Sequence, residues 1–110
     1  MGRSARWNST FGAAAEVYAR RWLRQQGLEI VATGYRCREG ELDIVARDGS
    51  TRVIVEVKAR SSELWGGALE AVGPRKQARI RAAARRYLWE RGELACPVRF
   101  DVLTVLRRRE

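Results

Sequence analysis

The sequence predicts an α/β fold with elements in the order α-β-β-β-α-β, a small sandwich whose central mixed sheet is flanked by helices. Three observations predict it. Apolar residues recur at helical spacing from about Ser9 to Gln26 and again after Pro74, where Ile80, Ala83, Ala84, Tyr87 and Leu88 give an i, i+3, i+4, i+7, i+8 stripe. Between them, Glu41 to Arg47 and Arg52 to Ala59 alternate with period two around an Asp48-Gly49 turn signal. Last, Val98 to Leu106 is a continuous apolar-rich run that reads as a buried strand. The 110 residues form a single domain of modest core, with residues 1–8 and 107–110 expected to be flexible.

The first helix is capped by Ser9 or Thr10 and stopped by Gly27 in the left-handed C′ position. Phe11, Ala15, Tyr18, Ala19 and Trp22 share one face, with Leu23 at its edge, while Arg20, Arg21 and Arg24 lie opposite. Leu28 to Cys37 leans to strand, with Gly34 as a bulge or bend, and Arg38-Glu39-Gly40 offers a turn. On the second strand Leu42, Ile44 and Ala46 point one way and Glu41, Asp43 and Val45 the other; on the third, Val53, Val55 and Val57 oppose Ile54, Glu56 and Lys58. A Gly-rich loop over residues 61–74 leads to Pro74 at the start of the second helix, and Gly92 stands past its end.

Composition narrows the chemistry. The chain carries 20 arginines, two lysines (Lys58 and Lys76), 13 acids and no histidine, a net charge of +9. Without histidine there is no Ser-His-Asp triad, no His-Cys zinc finger and no imidazole base. Perturbed carboxylates, a perturbed lysine or a metal-bound water remain. Charge is unevenly spread: residues 1–38 carry +5, residues 39–70 carry −3 and residues 71–110 carry +7. Two basic flanks imply an anionic partner, foremost nucleic acid, although arginine-for-lysine usage alone also produces such a count. No apolar run reaches the roughly 20 residues of a membrane span, and no secretory segment follows the first arginines. Cys37 and Cys96 lack metal-ligand spacing, and two reduced thiols fit a cytoplasmic protein.

One constellation carries chemistry. Glu56 and Lys58, at i and i+2, project from one face of the third strand. Antiparallel pairing around Asp48-Gly49 brings Asp43 close to Glu56, with Ile54 and Val45 making the same face partly apolar. Asp43, Glu56 and the Val57 carbonyl can supply hard oxygen ligands for Mg²⁺ or Mn²⁺, and Lys58 can orient or deprotonate the water bound there, or stabilise a phosphate under attack. This suits phosphodiester hydrolysis. The same residues also describe a solvent-facing ion pair on a half-exposed sheet.

Gly12, Glu16, Ala19, Leu23 and Gly27, then Gly40-Glu41-Leu42-Asp43, Val55-Glu56-Val57-Lys58 with Arg60, Lys76, and Arg99-Phe100-Asp101-Val102 together resemble the YraN-like family of small bacterial proteins. That family is similar to archaeal Holliday junction resolvases within the PD-(D/E)xK nuclease superfamily. The resemblance covers about Phe11 to Leu106 and implies a restriction-endonuclease-like core. It implies Asp43 and Glu56 as metal ligands, Lys58 as the catalytic lysine, and Glu16 as the helix glutamate that completes the site. One departure is Gly34, which stands before Tyr35 where the family usually shows asparagine.

The expected function is therefore a Mg²⁺-dependent (or Mn²⁺-dependent) endonuclease acting on DNA, including branched or structured DNA. Work on a symmetrical junction needs two active sites and so a homodimer. The alternative is a catalytically inactive nucleic-acid-binding module of the same fold; a third reading is a protein whose basic faces bind an acidic partner. Arg60, Arg75, Lys76 and Arg79 are the expected phosphate contacts, the last three helped by a helix N-terminus, although an ordinary solvated face has the same composition. Without the resemblance, Glu16 reads as an exposed partner of Arg20, and Glu41 reads as a second acid of the site or a turn-end charge. Trp22 and Trp89 are expected in or beside the core, Trp65 against substrate, and Asp101 in hydrogen bonds with Arg99 or a nearby turn.

Overall fold

The computed structural model describes residues 12–61 and 72–107. Helix α1 spans Ala13–Gln25, strands β1, β2 and β3 span Glu29–Arg36, Glu41–Asp48 and Thr51–Ser61, helix α2 spans Pro74–Glu90, and strand β4 spans Val98–Arg107. The strands lie in the order β1-β2-β3-β4. The first two pairings are antiparallel and the β3–β4 pairing is parallel, giving the mixed sheet and the α-β-β-β-α-β order that the sequence predicts. Among the described residues no helix is long and apolar enough to cross a membrane.

Both helices stop at the expected glycines for one reason. Gly27 (φ +93°) and Gly92 (φ +71°) take left-handed conformations that spare the last carbonyls. The Leu28 N–H donates to the Leu23 carbonyl at 3.0 Å and the Gly27 N–H to Arg24 at 2.9 Å; Glu93 and Gly92 repeat this on Leu88 and Trp89 at 2.7 and 3.1 Å. This pair of hydrogen bonds is the Schellman stop, and Leu28 closes it by packing beside the buried Leu23. The expected caps Ser9 and Thr10 lie outside the described residues, as do residues 1–8. Pro74 begins α2 as predicted, with Gly73 extended before it.

The sheet is covered on both faces. Beneath α1, Ala19 and Leu23 pack with Ile44, Ala46, Val53 and Val55. Beneath α2, the predicted stripe of Ile80, Ala83, Ala84, Tyr87 and Leu88 packs on Leu42, Val45 and Ile54. Leu42 therefore does not share a face with Ile44 and Ala46. The β2–β3 ladder runs from Asp48–Thr51 to Ile44–Val55, and strict period-two alternation does not carry past it to Leu42.

Other corrections concern exposure. The buried stripe of α1 is Ala15, Ala19 and Leu23, a row of four-residue steps, whereas Tyr18 and Trp22 are 57% and 48% exposed. Two alanines let the helix lie close to the sheet, which turns the aromatics outward. Trp89 is exposed too, on the outer side of α2. Among the described residues β4 is an edge strand, paired on one side only, and it is half-buried, with Phe100 and Leu106 exposed. It includes Arg107, paired opposite Ser61, one residue past the predicted end. In β1 the register shift falls between Ile30 and Ala32, while Gly34 takes φ +63° without disturbing the register. Asparagine also tolerates this region, so the asparagine that the resemblance implies there is compatible with the same backbone.

Candidate functional site

The site forms at the end of the sheet where β2 begins and β3 runs on beyond it. Were the β2–β3 register continued, Val57 would lie opposite Leu42. Instead the Val57 N–H donates to Asp43 Oδ2 at 2.8 Å, so a β2 side chain takes up the β3 backbone. An extended residue presents its N–H and C=O to the same edge, so the Val57 carbonyl also faces the Asp43 side. Glu56 and Lys58 flank this point on β3. Lys58 Nζ stands 3.3 Å from Glu56 Oε2, and Lys76 Nζ, from the first turn of α2, reaches the same oxygen at 2.8 Å.

Burial sets these contacts apart from the surface pairs. The Glu56 side chain is 9% exposed and that of Lys58 14%. The Arg36–Glu41 pair, at 3.7 Å and far more open, is worth about 0–1 kcal/mol. Glu56 is the one buried charged residue of the described chain, and removing its partners would strand a charge in low dielectric. Burial, then the Glu56 charge, pushes Asp43 up to about 7; Glu16 adds to this, while the Val57 N–H and Lys76 oppose it. Burial also lowers Lys58, with Lys76 adding and Glu56 opposing. For Lys76 burial acts downward, but bonding to Glu56 outweighs it and the net shift is upward.

The donor set fits a hard divalent cation. Two carboxylates and a strand carbonyl are oxygen ligands of the kind Mg²⁺ uses while keeping several waters. Burial first, and the Glu56 charge second, disfavour the ionised form of Asp43, and a cation bound there would favour it. Among the described residues no three Asp, Glu or Cys side chains converge closely enough to form a metal cage by themselves. Glu16 stands farther out, where its charge reaches Asp43 and its side chain pairs with Arg20 at 3.7 Å.

The chain is similar to known proteins along most of its length. The profile described as "Uncharacterised protein family UPF0102" matches residues 15–105, which include Glu16, Asp43, Glu56, Lys58 and Lys76. The chain belongs to this family. A UPF0102 protein of Beutenbergia cavernae is 51% identical over 104 residues, covering 94% of this chain and 88% of that protein. UPF0102 proteins of a Parafrankia species and of Ectopseudomonas mendocina are 47% and 42% identical, over 96% and 89% of this chain and 89% and 83% of theirs. The YraN-like resemblance of the motifs is thus a UPF0102 resemblance across nearly the whole domain.

Within this UPF0102 domain the predicted residues divide. Asp43, Glu56, Val57 and Lys58 come together, and Glu16 is near enough to act on Asp43 electrostatically. Arg75 and Arg79 are exposed on the first turns of α2. Arg60 donates back to the Ala59 carbonyl at 3.1 Å. Glu41 pairs with Arg36 at the hairpin end, the turn-end reading of that residue. Asp101 accepts from Arg99 at 3.2 Å as expected. Trp65 lies outside the described residues. Lys76 was expected at phosphate; its contact with Glu56 was missed, because nothing in the sequence fixes how the start of α2 meets β3. Also missed was an apolar groove between α1 and β4, lined by Tyr18, Trp22, Gln25, Leu103, Thr104 and Val105.

Proposed function

We propose that this UPF0102 protein is a divalent-metal-dependent endonuclease that hydrolyses phosphodiester bonds in DNA, with branched or otherwise structured DNA as the substrate class. The observation that carries the reading is the convergence of Asp43, Glu56 and Lys58 around the Val57 amide, with distances of 2.8 and 3.3 Å. Mg²⁺ or Mn²⁺, when bound, supplies an acidified water at neutral pH without histidine. Asp43 and Glu56, with the Val57 carbonyl, would hold the ion, and the Val57 N–H fixes the Asp43 carboxylate. Lys58, partly stripped of water, sets its ammonium where charge develops on the phosphate. Glu16 adds negative charge at the rim, and Arg75 and Arg79 hold the DNA backbone, with Arg60 at the strand end. Acting on symmetrical junctions, the protein would work as a homodimer, and its two free thiols suit the cytoplasm.

The test is cleavage of junction, flap and duplex DNA by the full chain with Mg²⁺ or Mn²⁺. Metal-dependent cutting is expected, lost in Asp43→Ala and in Lys58→Ala. Cutting that survives both substitutions removes the assigned site. The two ammonium groups already on Glu56 favour one second reading, a nucleic-acid-binding module without turnover. It predicts binding that weakens steeply with salt, needs no metal and cuts nothing.

A further inference from the structure

Glu56 carries two lysines on one oxygen, and they are not equivalent. Lys58 belongs to the same strand, two residues on, and is only 14% exposed. Lys76 comes from the first turn of α2, is 45% exposed, and holds the shorter contact, 2.8 Å against 3.3 Å. Its position is a poor one for helix stability. The N-terminal end of a helix carries partial positive charge, and the first turn of α2 contains no acid to complement it. A cation there is accounted for by what it touches, and it touches the buried carboxylate of the site.

We propose that Lys76 is an exchangeable counter-ion of Glu56: it neutralises the carboxylate while no divalent cation is bound, gives way when one binds, and presents its ammonium to the DNA phosphate beside Arg75 and Arg79. The inference rests on the metal-dependent reading above. Glu56 must be neutralised in either state, because a lone buried carboxylate is costly. Two ammonium groups and a divalent cation crowded on one carboxylate repel each other, and Lys76 is the group with solvent to move into. Its long stem and its place beside the exposed Arg75 put the released charge on the helix end where phosphate is expected. Metal loading would then strengthen DNA binding through a lysine of the chain as well as through the ion, and DNA would reciprocally strengthen metal binding.

The experiment is a Mn²⁺ titration of the metal-free, DNA-free full chain, read by the paramagnetic resonance of free Mn²⁺ and by the thermal melt. Lys76→Met and Lys76→Gln, which both remove the competing charge, are expected to bind Mn²⁺ about tenfold tighter than the parent. Their metal-free forms should melt lower and gain more from Mn²⁺ than the parent does. Lys76→Arg, which keeps the charge, should stay near the parent. Parent-like or weaker Mn²⁺ binding by both neutral variants, each melting cooperatively, overturns the exchange and leaves the metal-dependent reading intact. No Mn²⁺ binding by any form removes that reading, and this inference with it.

Discussion

The Asp43 carboxylate accepts the Val57 backbone N–H at 2.8 Å, so a side chain of the site takes the β3 amide just past the end of the β2–β3 ladder. That placement gives the residue a definite signature against pH. Burial and then Glu56 raise its pKa from 3.8 to about 7 in the fold. Between those values the folded protein holds a proton that the unfolded chain has released, so this contribution to stability is present at low pH and fades as pH rises toward 7. Asn in place of Asp still offers an oxygen to Val57 but cannot ionise. Metal-free Asp43→Asn should therefore melt above the parent at about pH 8, with the gap closing toward about pH 4. A gap that stays constant across that range would contradict the assignment.

Much of this was legible in the sequence because it depends on local chemistry. Alternation in β3 put Glu56 and Lys58 on one face, the Asp48-Gly49 signal set the antiparallel register, and Gly27 and Gly92 marked both helix ends. What was not legible depends on which surface meets which. The outward turn of Tyr18 and Trp22 follows from how closely Ala15 and Ala19 let α1 approach the sheet. The turn of Leu42 toward α2 accompanies the end of a ladder, and no period reports where a ladder ends. Lys76 was legible as a phosphate contact, but only the packing of α2 on the sheet places its ammonium on Glu56.

Gly40 shows a second kind of close approach. A Cβ built there would lie 3.2 Å from the backbone carbonyl oxygen of Arg79 and 3.5 Å from its Cβ, so the β1–β2 hairpin passes directly against α2. Backbone yields less readily than a side-chain tip. Gly40→Ala is expected to cost about 1–3 kcal/mol by overpacking, with Gly40→Val worse. Denaturant melts check this, and an unchanged midpoint for both variants would show that the hairpin moves aside freely.

The same hairpin is tied to α2 by charge. Arg86 donates through Nε and Nη2 to the two oxygens of Glu39, at 2.6 and 2.8 Å. That bonding pulls Glu39 from 4.5 down to about 2. Here the sign is opposite to that of Asp43: the stabilising contribution is full above the ordinary pKa and lost as pH falls through about 2. Glu39→Gln should melt lower than the parent near neutrality and show a shallower loss between about pH 4.5 and pH 2. An acid profile parallel to that of the parent would mean the pair is not formed in solution.

Arg75 and Arg79 are exposed on the opening turns of α2, beside Lys76 and near the site. If they hold DNA phosphates, each contact releases counter-ions from the duplex, and the log of affinity falls with the log of salt by about 0.9 per phosphate. The double variant Arg75→Ala, Arg79→Ala should therefore bind duplex DNA more weakly, with a salt slope reduced by about 1–2 units. Its melting temperature should be little changed, because neither guanidinium lies in the core. Electrophoretic mobility shift across a salt series, without divalent metal, separates this from catalysis. A weaker affinity with an unchanged slope would place the lost contacts away from phosphate, and an unchanged affinity would move the DNA path off this end of the helix.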